Sequence, residues 1–309
     1  MEQEKKEIAA AIGEFLWHCR FEKKLDEKTI RAYQADLQQM AEIIGGTTDI
    51  FTMSKTDIKH YLQAIAHFKH KTIKRKIATL RSMLNYLECE CEDYINPMRK
   101  MQIRMKEPLR LPVVMTIEEM RRILTFLYHR ISEYPENTYS YKAVIRNIAV
   151  VELLFASGMR VSELCSLRNK DINMEIGEVR IIGKGNKERI IHICQPETWK
   201  ALHHWLELRN GACESQAPFF TNRLHRGLST QSVRQMIRHI VSATGIEKHI
   251  TPHTFRHTFA TLLLEEDVDV RYIQSLLGHS SIATTQIYTH VNPNKQRQIL
   301  QTKHPRRRI

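Results

Sequence analysis

The chain has 309 residues, with 47 lysines and arginines against 34 aspartates and glutamates, and a formal net charge of +13. This length exceeds what one hydrophobic core usually holds, so two domains are expected, and the basic excess favours a polyanionic partner. Because no stretch approaches the ~20 apolar residues that span a bilayer and the N-terminus has no secretory signal, we expect a cytoplasmic protein without membrane association.

The first hundred residues contain four segments with apolar side chains at helical spacing. One residue from each segment illustrates the pattern: Ile12, Leu37, Ile58 and Leu80. Asp26 is placed to cap the second helix and Thr56 the third, while Asn96-Pro97 is expected to end the fourth. Residues 1–97 are therefore predicted to form a compact four-helix domain.

The fourth segment and its approach carry six basic residues with no acidic residue between them. They are Lys69, Lys71, Lys74, Arg75, Lys76 and Arg81. Such a run is often only a solvated helix face. In a chain this basic we favour the alternative, a surface that lies against the phosphate backbone and major groove of DNA.

Residues 98–112 show little periodicity and are predicted to form a basic interdomain linker. Its candidate DNA-binding residues are Arg99, Lys100 and Arg104. An extended basic segment of this kind would run along the duplex, and the two domains that it joins could close around DNA as a clamp. Thr116 and Glu119 then match a capping box that opens the second domain, 113–309.

The second domain is predicted to be mainly helical with a small antiparallel β-sheet, so the fold class of the whole chain is mainly α. Helices are expected near 116–130, 141–157, 162–168, 197–210, 230–244, 253–265, 269–277 and 281–289. Two β-branched runs, 178–182 and 189–194, flank a glycine-rich turn and predict a β-hairpin, with a short strand before it.

Six residues of the second domain together carry the chemistry of metal-free phosphodiester cleavage. They are Arg160, Lys184, His253, Arg256, His279 and Tyr288. Each alone is ordinary, as a surface charge, a helix-face pair or a packed ring. As a set they supply two guanidinium groups for phosphate oxygens, an ammonium and two imidazoles for proton transfer, and a phenol that can act as a covalent nucleophile.

The local settings of two of these groups support this interpretation. Thr251 and Pro252 suit the first positions of a helix, which places His253 and Arg256 in its first turn, where an anion is favoured. Arg160 lies at a junction between two predicted helices. A planar guanidinium held there could clamp a phosphate together with Arg256.

This constellation resembles the tyrosine recombinases of the phage integrase family, and in layout it is similar to Xer-type recombinases and short transposon integrases. The family pattern of Arg, Lys, His-x-x-Arg, Gly-His and Tyr is matched at every catalytic position, over roughly residues 10–300. The resemblance implies the tyrosine recombinase fold, with an N-terminal core-binding domain of the SAM-like type. It also implies a site-specific recombinase that needs no cofactor, ATP or metal.

The resemblance further implies how the six residues act. Tyr288 would attack the scissile phosphate to form a 3′-phosphotyrosyl link and release a 5′-hydroxyl, while the two arginines hold the non-bridging oxygens. His253 would exchange protons with the nucleophile, Lys184 would protonate the leaving oxygen, and His279 would hydrogen-bond the phosphate. A 5′-hydroxyl from a second duplex then attacks the phosphotyrosine, which leads through a Holliday junction.

The implied partners are double-stranded DNA with inverted-repeat core sites and further copies of the chain. A homotetramer would act on two DNA sites and a dimer on one, with the tail after Tyr288 packing in trans or in cis. Longer integrases carry an arm-binding module before this point, and its absence here favours simple inverted-repeat sites. DNA binding would place the protein at the bacterial nucleoid. Integration, excision, inversion and chromosome-dimer resolution stay open, as do the target sequence and accessory factors.

Three other functions agree less well with the sequence. A type IB topoisomerase uses similar chemistry but religates the same strand, and the small size and helical N-terminal domain argue against it. A non-catalytic DNA-binding regulator on the same fold would be expected to have lost some of the six residues. A metal-dependent nuclease is disfavoured because no carboxylates stand at two-metal spacing, and Cys89-x-Cys91 lacks the pairing of a zinc site.

Overall fold

The structure, a computed structural model, describes residues 6–45, 49–103, 111–183, 188–209 and 214–278. The chain divides into two compact units, Met1–Leu109 and Arg110–Ile309, each with its own hydrophobic core. Among the described residues, no helix is both long enough and apolar enough to cross a bilayer. The limits of the linker, 98–112, stay a prediction.

Four α-helices form the described part of the first unit. They are α1 (Ile8–Phe21), α2 (Glu27–Ile44), α3 (Lys55–Ala64) and α4 (His70–Glu90). Their apolar faces meet around the fully buried side chains of Phe15, Leu37, Tyr61 and Leu80. The four-helix prediction is confirmed, since each segment buries one face and leaves the other exposed.

One of the two predicted helix caps is confirmed and the other is wrong. Asp26 caps α2, where its Oδ1 accepts a hydrogen bond from the backbone N of Thr29 at 2.9 Å. The cap of α3 is Ser54 instead of Thr56, because Ser54 and Asp57 form a reciprocal capping box. In it, the Asp57 carboxylate accepts from the backbone N of Ser54 at 2.8 Å.

The fourth helix ends at Glu90, before the predicted stop at Asn96-Pro97. The chain must leave the helix early because Tyr94 and Met98 both turn back into the core of the first unit. Buried Asn96 stabilises this return: its side-chain amide donates to Oδ1 of Asn85 at 2.7 Å, and its own Oδ1 accepts from the backbone N of Met98 at 2.8 Å.

Lys76 departs from the predicted DNA-binding face of the fourth helix. It is only 6% exposed, and its Nζ lies 2.9 Å from Oδ1 of Asp36, which is 2% exposed. Thr79 also donates to this carboxylate, at 3.2 Å, and Arg75 pairs with it from the rim. Lys76 is therefore withdrawn from the predicted face, since its ammonium neutralises a buried acid of α2.

Replacing Asp36 by alanine should destabilise the first unit by about 3–5 kcal/mol, because it leaves the Lys76 ammonium buried and unpaired. Chemical denaturation of the variant measures this loss. Glu27→Ala serves as the control, since Glu27 forms an exposed pair with Arg20 and should cost about 1 kcal/mol or less. If Asp36→Ala is no worse than this control, the buried pair does not hold α2 to α4.

The second unit is built around helix α6. Its described helices are α5 (Ile117–His129), α6 (Tyr139–Ser157), α7 (Val161–Ser166), α8 (Pro196–Leu208), α9 (Thr230–Ala243), α10 (Pro252–Glu265) and α11 (Val270–Leu277). The limits agree with the predicted helices to within two residues, and the predicted helix 281–289 lies outside the described residues. Apolar residues on all sides of α6 are buried, so α5, α8 and α10 can pack around it.

The predicted sheet is present as three antiparallel strands in the order β1 (Ile172–Asn173), β2 (Glu178–Ile182) and β3 (Glu188–His192). In register, Val179 lies opposite Ile191 and Ile181 lies opposite Arg189. Val179 and Ile191 are buried against the helices, whereas their neighbours in the sequence face outward. The sheet thus has one inward face, and Arg189 lies on it.

Candidate active site

The turn that carries Arg160 depends on Gly158. Gly158 ends α6 with a φ of +58°, and Arg160 follows as the N-cap residue of α7. A Cβ on Gly158 would lie 2.5 Å from Cδ1 of Phe259 and 3.0 Å from Cδ2 of Leu277. Only glycine therefore lets α6 end this close to α10 and α11, which confirms the predicted junction before Arg160.

A buried carboxylate orients Arg160. The Glu163 side chain is 4% exposed; its Oε1 accepts from Nη1 of Arg160 and its Oε2 from the backbone N of the same residue, both at 2.8 Å. Burial alone would raise the pKa of Glu163, but hydrogen bonds from Arg189 and Arg160 outweigh it and lower that pKa. The Arg160 side chain remains about one-third exposed, so it can still meet a ligand.

Arg189 in β3 binds the same carboxylate. Its Nη1 and Nη2 donate to Oε1 and Oε2 of Glu163 at 3.1 and 2.8 Å, and its Nε donates to the carbonyl of Leu276 at 2.9 Å. Neither Glu163 nor Arg189 was among the predicted site residues. The usable signal was an arginine on the inward side of a strand, opposite buried Ile181, because such a position requires a buried acid.

Arg256 is buried, in contrast to the solvated helix face that a His-x-x-Arg pair alone would indicate. It is 4% exposed; its Nη1 donates to the carbonyl of Gly158 at 2.9 Å and its Nη2 to the carbonyl of Leu277 at 2.7 Å. Thr251 and Pro252 occupy the N-cap and first positions of α10, as predicted. Arg256 thus joins α10 to the ends of both α6 and α11.

Three arginines meet the C-terminal end of α11. The acceptors are the carbonyls of Leu276, Leu277 and Gly278, and the donors are Arg189, Arg256 and Arg160, at 2.9, 2.7 and 3.5 Å. The negative end of the helix dipole favours cations at this point and offsets their mutual repulsion. Because Arg160 and Arg256 bond adjacent carbonyls, the structure brings the two predicted clamp residues together just before His279.

His253 lies in the first turn of α10 and is exposed. Partial loss of hydration lowers the pKa of its imidazole, and the positive charges of Arg234, Arg256 and Arg160 lower it further. Below the ordinary value of 6.5, such a pKa leaves the imidazole neutral at pH 7. A neutral imidazole beside two arginines is able to accept a proton.

Removing the charge of Arg234 should raise the pKa of His253 toward its ordinary value, because a neighbouring cation disfavours the imidazolium. NMR titration of the His253 ring in the free protein measures this, with Arg234→Gln compared to the wild type. Arg238→Gln is the control, since Arg238 is exposed one turn further along α9. An unchanged or lower pKa in Arg234→Gln would contradict the electrostatic origin of the shift.

Several predicted site residues lie outside the described residues. They are Lys184, His279 and Tyr288 of the catalytic set and Arg104 of the linker. The structure therefore assembles Arg160, His253 and Arg256 from the six, and it adds Glu163 and Arg189. The catalytic roles of all six residues stay predictions, and so do the positions of those outside the described part of the chain.

In the first unit, the remaining predicted DNA-binding residues are exposed. Five of them form what we term the α4 basic face: Lys69, Lys71, Lys74, Arg75 and Arg81. Lys71, Lys74 and Arg81 recur at helical spacing, and among the exposed described residues from 69 to 85 there is no acid. Arg99 and Lys100 are exposed as well, although Arg99 lies 3.7 Å from Glu88.

The sequence matches two family descriptions that together cover most of the chain. Residues 114–295 match the phage integrase family, and residues 12–90 match the phage integrase N-terminal SAM-like domain. A tyrosine recombinase of Agathobacter rectalis is 42% identical over 297 residues, covering 96% of each chain. Tyrosine recombinase XerD of Halalkalibacterium halodurans is 37% identical over 306 residues, covering 96% of this chain and 97% of the relative.

Solved structures show the same fold. XerH recombinase, in a pre-cleavage complex with its difH substrate, aligns with a TM-score of 0.75 at 20% identity, covering 97% of this chain and 98% of that one. The integrase of transposon Tn1549, in complex with transposon right-end DNA, aligns with a TM-score of 0.70 at 20% identity, covering 96% and 99%. The match extends over both the helical N-terminal unit and the unit with the small sheet.

Proposed function

As the chain belongs to the phage integrase family and is a tyrosine recombinase, we propose that it exchanges DNA strands between specific sites through a 3′-phosphotyrosyl intermediate at Tyr288. A Holliday junction forms between the two rounds of strand exchange. The physiological task is movement of a mobile element or Xer-type resolution of chromosome dimers. Neither a cofactor nor ATP takes part, since the covalent intermediate conserves the phosphodiester bond energy.

The chemistry assigns a separate task to each polar group. The Tyr288 oxygen bonds to phosphorus as the bond to the 5′-oxygen breaks; its proton passes to His253, and Lys184 gives a proton to the leaving oxygen. The two arginines hold the non-bridging oxygens, where charge builds up, and His279 donates a further hydrogen bond. Attack by a 5′-hydroxyl of the second duplex reverses these transfers and frees the tyrosine.

The observation that carries this proposal is the meeting of Arg160 and Arg256 at the end of α11, with His253 in the same first turn of α10 as Arg256. Their guanidinium groups bond adjacent carbonyls at the end of α11, and both contribute to lowering the pKa of His253. Two guanidinium groups and one neutral imidazole are the partners that a phosphate under nucleophilic attack requires. Buried Glu163 orients Arg160, because it accepts a hydrogen bond from Nη1 of that arginine.

For DNA binding we propose the α4 basic face together with Arg99, Lys100 and Arg104. The side chains of the α4 basic face are exposed, and no exposed acid lies among them, so they can replace the counterions of the phosphate backbone. Arg75 contributes less than the others, because it also pairs with Asp36. The substrate is duplex DNA with inverted-repeat core sites. A homotetramer holds two such sites, and a dimer holds one, because each protomer recognises one half of the repeat.

Covalent trapping on DNA tests the proposal. The purified chain is incubated with fragments of the host genome, adducts are captured with detergent, and the attached ends are mapped. A nicked duplex with the mapped site then serves as the substrate. The wild type should form a covalent adduct and join strands of two different duplexes, whereas Tyr288→Phe should bind the site and form no adduct.

Tyr272→Phe is the matched control, because Tyr272 is 70% exposed on α11 and has no part in the proposed chemistry. It should form adducts like the wild type. Adducts with Tyr288→Phe would exclude Tyr288 as the nucleophile. Relaxation of supercoils without any joining of two duplexes would favour a type IB topoisomerase instead.

A further inference from the structure

We propose that Arg189 is a positioning residue of the active site, which locks Arg160 and the end of α11 into one arrangement through a single guanidinium group. The inference rests on the proposed function, since it concerns the groups that hold the scissile phosphate. Arg189 itself touches no substrate in this scheme. It acts through Glu163 on one side and through the backbone before His279 on the other.

All three nitrogens of the Arg189 guanidinium donate hydrogen bonds in two directions. Nη1 and Nη2 bind the two oxygens of Glu163 at 3.1 and 2.8 Å, and the same carboxylate receives Nη1 of Arg160 at 2.8 Å. Nε binds the carbonyl of Leu276 at 2.9 Å. The bidentate pair fixes the plane of the carboxylate, and with it the direction in which Glu163 holds Arg160.

The backbone of Gly278 is packed against this side chain. A Cβ at Gly278, where φ is +64°, would lie 3.0 Å from Nη1 and 3.2 Å from Cδ of Arg189. The guanidinium therefore lies directly under the residue that precedes His279. Glycine suits this position for two reasons: its backbone adopts the positive φ, and it has no side chain to crowd Arg189.

The ends of α7, β3 and α11 thus share one buried connection. Arg189 is 12% exposed and Glu163 is 4% exposed on the side-chain scale, so water competes little for these bonds. Glu163, Arg189 and Leu276 lie far apart in the chain, and Arg160, a predicted catalytic residue, is the N-cap residue of α7. A lysine at 189 cannot replace this connection, because one ammonium cannot bind a carboxylate in bidentate fashion and a carbonyl at the same time.

Arg189→Ala and Arg189→Lys are compared with the wild type for covalent adduct formation on the mapped nicked duplex. The rate is measured in single turnover at saturating enzyme. Thermal unfolding curves give the folded fraction of each variant, and the rate is divided by that fraction. In both variants the rate of adduct formation should fall about 10²-fold, since displacement of catalytic groups by about 1 Å has an effect of this size. Their affinity for the duplex should stay near that of the wild type.

The matched control is Arg180 in neighbouring strand β2, changed to alanine and to lysine. Its Nη2 pairs with Oδ1 of Asp171 at 3.3 Å and its side chain is 41% exposed, so it tests for loss of any arginine from this sheet. Both Arg180 variants should react at close to the wild-type rate. A double-mutant cycle compares the effect of Arg189→Ala on the rate in the wild-type and Glu163→Gln backgrounds, and it distinguishes positioning through Glu163 from a general loss of stability.

If Arg189 acts through Glu163, Arg189→Ala should cost little in the Glu163→Gln background, and the two losses should not multiply. The inference would be overturned if the two losses multiply, if Arg189→Ala reacts at the wild-type rate, or if Arg189→Lys is fully active. In each of these cases, adducts formed by the wild type would still support the proposed function. A wild-type chain that forms no adduct would overturn the proposed function and the inference with it.

Discussion

Replacing Arg256 by lysine is expected to slow covalent adduct formation about 10³-fold while DNA binding persists. Lysine keeps the positive charge, but the Arg256 guanidinium donates to the carbonyls of Gly158 and Leu277 from two different nitrogens. A single ammonium cannot reach both, so one buried carbonyl loses its donor and the cation shifts. The phosphate then loses a planar partner in a fixed position.

The rate is measured in single turnover on the mapped nicked duplex, with binding followed separately by gel retardation. Arg238→Lys is the matched control, because Arg238 is exposed on adjacent helix α9, and it should react like the wild type. The free energy of unfolding of Arg256→Lys should also be lower than that of the wild type by about 1–3 kcal/mol, because one buried carbonyl is left without a donor. Wild-type rates in Arg256→Lys would mean that charge alone suffices.

Glu163→Gln is expected to lower the free energy of unfolding by about 3–5 kcal/mol, the usual effect of removing one partner from a buried ion pair. Glutamine has nearly the same shape, but it turns an amide group toward one of two arginines and leaves both without a counter-charge. Adduct formation should fall as well, because Arg160 loses the group that orients it. Chemical denaturation at neutral pH measures the difference in the free energy of unfolding between the variant and the wild type.

The pH dependence of this stability difference provides a second check. The pKa of Glu163 is lowered in the folded state from its ordinary value of 4.5, so its contribution is fully present above that pH. It should be lost as the pH falls below 4.5 and through the folded-state pKa. The difference between wild type and Glu163→Gln should therefore shrink in acid, and a constant difference would exclude the carboxylate charge as its cause.

Glu118→Gln is the matched control for Glu163→Gln. Glu118 also pairs with an arginine three residues away, Arg121, but both side chains are more than 60% exposed. Solvent screens this pair, so its loss should cost about 1 kcal/mol or less. Equal losses in the two variants would show that burial of the Glu163 cluster contributes nothing beyond a surface ion pair.

Local patterns predicted most of the secondary structure. Helical periodicity located α4, α6 and α9, and β-branched runs around a glycine-rich turn located β2 and β3, because these signals depend on near neighbours in the chain. The stop of α4 was misplaced for the opposite reason. Burial of Tyr94 and Met98, a tertiary effect, ended the helix before the proline signal was reached.

The same division applies to the charged residues. A run of basic side chains on α4 predicted an exposed face, and most of it is exposed, but the sequence could not single out Lys76. Its partner, Asp36, is 40 positions away on α2. Which member of a basic run turns inward depends on the rotation of the helix against its neighbours, and that rotation is set by packing.

The family and the mainly helical class could be predicted from the sequence, because the types of the six predicted catalytic residues and their spacing are typical of this family and the helical periodicity is local. The burial of Arg256, the contact by which Glu163 orients Arg160, and the link from Glu163 through Arg189 to the end of α11 became visible in the folded chain alone. These hydrogen bonds connect residues that are 3 to 87 positions apart. Their geometry arises when separate helices and a strand pack together, and no single segment encodes it.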